Sequence, residues 1–137
     1  MKVMTEVFSV FGLLIMVVSC ATTPTALPEK YNLDNELEAV DQITTFTVSG
    51  WEEVDRQSVI LRSSVRDYYL LVLRRPMHTR ISGLAIGISS TVSTIRPGFD
   101  RIYVKDYAGK QHYVIEKIYK IEGRVQAKEI KERLRKS

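Results

Sequence analysis

The apolar positions change rhythm along the chain. Residues 7–18 (VFSVFGLLIMVV) form a nearly unbroken apolar run, interrupted only by Ser9 and Gly12. At 1.5 Å per residue such a helix spans roughly 18 Å, well short of a hydrocarbon core of about 30 Å. The length suits the apolar part of a secretory signal, with Lys2 as a weakly positive start and Glu6 as a departure from the usual pattern. Residues 21–30 (ATTPTALPEK) are small, polar and carry two prolines, a composition that cannot build a core and reads as a flexible tether.

From Tyr31 onward the pattern predicts ordered structure. Leu33, Leu37 and Val40 are spaced as in a helical turn, with Asn32 or Asp34 as its cap. Residues 43–48 alternate as a strand, and Ser49-Gly50 punctuates it. Residues 51–61 predict one strand, SSVRD a turn, and residues 68–73 (YYLLVL) a second strand. That second run is apolar at every position, which places it centrally in a sheet. Leu84, Ile86 and Ile88 alternate with Ala85 and Gly87, giving another strand. RIYVKDY and QHYVIEKIYKI flank AGK as a hairpin, with Gly109 where the turn needs a positive φ.

Residues 124–137 switch to helical spacing, with Ala127, Ile130 and Leu134 as a thin apolar stripe. Glu129 with Arg133 and Glu132 with Lys136 are i,i+4 pairs in the favourable order. The expected fold is mainly β (α+β): a small antiparallel sheet or partly open barrel of about six strands with a C-terminal helix. The expected organisation is a signal peptide over 1–19, a flexible tether over 20–30, a β-rich domain over 31–124 and a charged C-terminal helix over 125–137.

The chain holds one cysteine, Cys20, where the apolar run stops. Val17-Val18-Ser19-Cys20 resembles the bacterial lipobox. The resemblance implies a diacylglyceryl group on the Cys20 sulfur, cleavage before Cys20 and acylation (palmitate) of the freed amine. Each buried methylene contributes about 0.8 kcal/mol, so two or three acyl chains hold a domain firmly at a membrane. Ala21 in place of aspartate implies, by resemblance to enterobacterial sorting, the outer membrane facing the periplasm.

Composition bounds the chemistry. Of the 137 residues, 45% are hydrophobic and 26% charged, an ordinary composition with room for one domain. One cysteine cannot form an internal disulfide, and His78 and His112 stand far apart, so no metal site and no cofactor are expected. No G-x-S-x-G, P-loop or G-x-G-x-x-G is present. Asp55 and Asp67 flank turns and are expected to stabilise them. The chain is therefore not expected to be an enzyme.

Charge is unevenly spread. Residues 29–55 carry a net −7, residues 56–116 a net +6 and residues 117–137 a net +5. Tyrosines interleave with bases around residues 101–120, which suggests a binding face of Arg101, Tyr103, Lys105 and Tyr113. The signal argues against nucleic acid as a partner. The expected partners are the membrane, through the lipid anchor, and an envelope protein or anionic polymer, met by the basic face or the terminal helix. The expected role is a non-enzymatic interaction or structural module, with small-ligand or glycan binding as the alternative.

The mature region resembles an uncharacterised family of small bacterial lipoproteins whose domain is of unknown function. The likeness lies in Trp51-Glu52-Glu53-Val54-Asp55, Ser58-Val59-Ile60-Leu61, Asp67-Tyr68-Tyr69-Leu70-Leu71-Val72-Leu73, Gly98-Phe99-Asp100-Arg101-Ile102-Tyr103-Val104 and Val114-Ile115-Glu116-Lys117-Ile118. It covers roughly residues 41–121. Many such proteins carry cysteines after the YLL-like strand and before the final I-x-x-I; here those places read Arg75-Pro76-Met77-His78 and Gln111-His112-Tyr113-Val114. The resemblance implies no activity.

Overall fold

A computed structural model describes residues 26–44, 47–81, 84–89 and 93–137. The lipobox, Cys20 and most of the expected tether lie outside them. A 3₁₀ turn at Glu29–Tyr31 is followed by β1 (Glu38–Ala39), β2 (Gly50–Asp55), β3 (Ser58–Arg62), β4 (Asp67–Leu73), β5 (Ile86–Ile88), β6 (Arg101–Asp106), β7 (Gly109–Glu122) and α1 (Gly123–Lys136). The strands run β2-β3-β4-β7-β6-β5, every neighbour antiparallel, and β1 adds to β7. The sheet curls into a half-barrel with one helix packed on it, the mainly β architecture that the alternation predicts.

β7 organises the sheet. Along one edge its second half pairs with β4; along the other, its first half pairs with β6 and residues 119–120 pair with β1. The Asp106↔Gly109 pair closes the β6–β7 hairpin around Tyr107 and Ala108, and Gly109 has φ +112°, as the turn requires.

β4 is buried on both faces. Leu71 and Leu73 enter the core on the face away from the helix, termed the inner core, with Val59, Leu61, Ile102, Val104, Ile115 and Ile118. Leu70 and Val72 enter the outer core with Ile60, Tyr119, Ile121 and the helix residues Ala127, Ile130 and Leu134. Strict alternation would place Ile115 and Ile118 on opposite faces. A bulge on β7, opposite Val72 and Leu73, inserts one residue and turns both inward.

Two local features differ from the reading of the sequence. Residues 51–61 are two strands, because Arg56 and Gln57 form a tight turn between β2 and β3. That turn has no glycine or proline: Asp55 Oδ1 builds it by accepting the Gln57 N–H and the Ser58 hydroxyl, both at 2.8 Å. The expected strand over 43–48 is absent among the described residues; Ile43 makes an isolated bridge to Ile95 and lines the inner core, while residues 45–46 lie outside the description. α1 lies on the sheet, one of the two placements that its thin apolar stripe allows. Its apolar stripe is consumed by the outer core, and its cations reach the chain beneath: Arg133 pairs with Glu36 and Lys131 with Glu52. Among the described residues, no helix is long and apolar enough to cross a membrane.

Candidate functional site

The helix brings a second stripe with it. Arg124, Lys128, Lys131 and Arg135 are spaced four, three and four apart, so they share a face beside the apolar stripe. Opposite them, the strand register sets Arg62 of β3 against Tyr68 of β4 and Gly50 of β2, all at the same end of the sheet. Between helix and sheet runs a groove of about 480 Å³ lined by those four cations, Arg62 and Tyr68, with Ile60 and Ala127. It continues past Gly50 and Trp51. Five cations line the main groove against two acids, Glu52 and Glu132.

Two of those cations spend hydrogen bonds on backbone carbonyls. The Arg62 guanidinium donates to the Ser49 carbonyl at 3.3 Å and lies 3.4 Å from where a Cβ on Gly50 would sit. Arg135 donates to the Val54 carbonyl at 3.1 Å and reaches the Glu53 carbonyl at 3.5 Å. Lys131 pairs with Glu52; burial and then the neighbouring Arg135 charge hold its ammonium below the ordinary lysine range. Arg124 and Lys128 are exposed on the groove rim.

Of the four residues singled out in the sequence, Arg101, Tyr103 and Lys105 do share the outer face of β6. Tyr113 does not join them. It pairs with Ile102, lies in the inner core at 3% exposure, and its hydroxyl accepts the His78 N–H at 3.2 Å. His112 takes its place opposite Tyr103, with ring centroids 4.7 Å apart and an edge-to-face angle of 81°. Lys110 Nζ sits 4.2 Å over the Tyr103 ring. The aromatic face that would stack on a sugar is therefore already covered by a cation of the same hairpin.

The acids near turns are structural. Asp67 accepts the Ser64 hydroxyl at 2.6 Å, Asp100 the Arg96 N–H at 2.7 Å and Asp106 the Ala108 N–H at 2.8 Å. Among the described residues no group of histidine, cysteine, aspartate and glutamate is arranged to hold a metal. The groove was missed in the sequence because only one of its walls, the basic helical stripe, is a local signal; Arg62 and Tyr68 join it through strand register.

Architecturally this is a curled antiparallel half-barrel whose packed helix leaves a cation-rimmed groove along one side. The chain belongs to a family of unknown function (DUF6491), whose sequence pattern matches residues 2–137. No curated protein and no solved structure matches it.

Proposed function

We propose that this protein is a bacterial envelope lipoprotein, tied to a membrane through lipid on Cys20, whose domain is a non-catalytic module that meets an anionic envelope partner. The observation that carries the binding role is the groove beneath α1, where Arg62, Arg124, Lys128, Lys131 and Arg135 face only Glu52 and Glu132. The turn-building roles of Asp55, Asp67, Asp100 and Asp106 support a non-catalytic reading. The Val17-Val18-Ser19-Cys20 motif supports the anchor, and Ala21 supports the outer membrane's periplasmic face. The tether then presents the domain off the bilayer; its last residues already contact the fold, since Leu27 packs on the outer core and Lys30 pairs with Asp55 at 3.0 Å.

Expression in a bacterial host with a labelled fatty acid tests the anchor. The wild-type chain is expected in the membrane fraction carrying label, and Cys20→Ala is expected to lose both. Equal labelling of the two would refute lipidation at Cys20.

A further inference from the structure

We infer that the groove beneath α1 is a site for a phosphate group, gripped by Arg62, Arg124, Lys128 and the hydroxyl of Tyr68. The inference rests on the groove being the binding face, and not on the anchor.

Tyr68 supplies the independent observation. The residue is nine-tenths buried, at 9% exposure, and it lines the groove. Its hydroxyl hydrogen-bonds no described protein group, yet among the described residues no sealed-off side-chain polar atom lacks a partner. The hydroxyl therefore opens into the groove, a donor set among Arg62, Arg124 and Lys128. A phenol satisfied by protein would be the ordinary arrangement for a tyrosine this deep.

The surrounding charge is placed against the interest of the fold. The first turn of α1 contains Arg124 and no acid, although a helix N-terminus favours negative charge. Lys128 and Lys131 follow on the same face, and Arg62 meets them from β3. Glu52 and Glu132 offset part of this positive charge, and a bound anion would offset the rest. Two guanidinium forks, an ammonium and a phenol match the several acceptor oxygens of a phosphate better than the two of a carboxylate. The floor is apolar, formed by Ile60, Ala127 and the Tyr68 ring, so a hydrophobic carrier would add contact to that of the phosphate itself.

Trp51, the only tryptophan, lines the adjoining end of the groove and reports on its occupancy. The full chain in neutral detergent is titrated at constant ionic strength with inorganic phosphate and, separately, with dihexanoyl phosphatidic acid, following Trp51 fluorescence and heat. Saturable binding of inorganic phosphate with a midpoint near about 1 mM is expected. Tighter binding of the lipid by about tenfold or more identifies a headgroup as the source; equal affinities identify phosphate on a polar carrier. Tyr68→Phe keeps the ring and is expected to weaken binding about fivefold. Arg124→Gln with Lys128→Gln changes only rim residues and is expected to weaken it about twentyfold or more. Arg66→Gln with Lys136→Gln removes the same charge elsewhere and is expected to change nothing. No saturable binding of either probe, or equal loss in the control variant, overturns the inference. Phosphate binding without fatty-acid labelling would sink only the anchor; labelling without phosphate binding would sink only this site.

Discussion

The Tyr31 hydroxyl lies 2.8 Å from each carboxylate oxygen of Asp55, joining the turn before β1 to the end of β2. Lys30 Nζ, the Gln57 N–H and the Ser58 hydroxyl complete the carboxylate's shell. Burial pushes the Asp55 pKa up, but the hydrogen bonds from Gln57, Tyr31, Lys30 and Ser58 outweigh it and hold the carboxyl below its usual range. Burial first, and then Asp55, push the Tyr31 hydroxyl well above the ordinary tyrosine range. A lowered carboxyl contributes stability that is present above about pH 4 and is lost as pH falls through the folded value. A raised phenol contributes stability that is present below about pH 10 and is lost as pH rises. Asp55→Asn is therefore expected to cost about 2 kcal/mol at pH 7 and clearly less at pH 3. Urea midpoints at the two pH values decide this; an identical gap at both would show that the charge of Asp55 is immaterial.

Leu134 is 1% exposed in the outer core. Leu134→Ala is expected to cost about 3 kcal/mol, the usual range for a truncated core leucine. Removing residues 125–137 strips Ala127, Ile130 and Leu134 from the same core and is expected to abolish the sharp thermal transition. A truncated chain that still melts sharply would mean the sheet stands without its helix.

Tyr119 bridges the N-terminal segment to β7. Its hydroxyl accepts the Leu33 N–H at 3.1 Å and lies 2.9 Å from the Tyr31 carbonyl. Tyr119→Phe leaves buried backbone groups without that partner, at an expected cost of about 1–3 kcal/mol. Faster amide exchange at Leu33, with β3 and β4 unchanged, is the local signature to look for.

Gly123 turns the chain from β7 into α1 with φ +80°, and nothing lies within 4 Å of where its Cβ would be. Gly123→Ala is expected to cost about 1–2 kcal/mol from backbone conformation alone. Gly123→Asn should recover part of that, since asparagine tolerates this region better. Denaturation midpoints in the order Gly, Asn, Ala would support this account; an unaffected alanine variant would contradict it.

Much of the fold could be read from residue order because the signals are local. The uninterrupted apolar run at 68–73, the Gly109 turn and the 127-130-134 spacing each specify their element without distant information. What was hidden depends on pairing. The Arg56–Gln57 turn is made by a side chain, Asp55, rather than by a backbone-breaking residue. The two-residue Tyr107–Ala108 loop sets the β6–β7 register, so Tyr103 meets His112 and Tyr113 meets Ile102. One residue more or less in that loop would have assembled the aromatic face suggested by proximity in sequence. Likewise the basic helical stripe is visible in the sequence, but Arg62 and Tyr68 become its opposite wall only once β2, β3 and β4 align.

β7 is synthesised after β1, β4 and β6, all of which hydrogen-bond to it. The hairpins β2-β3 and β3-β4 need nothing from it, but only β7 joins that meander to β1 and β6, so the sheet becomes one piece only near the end of synthesis.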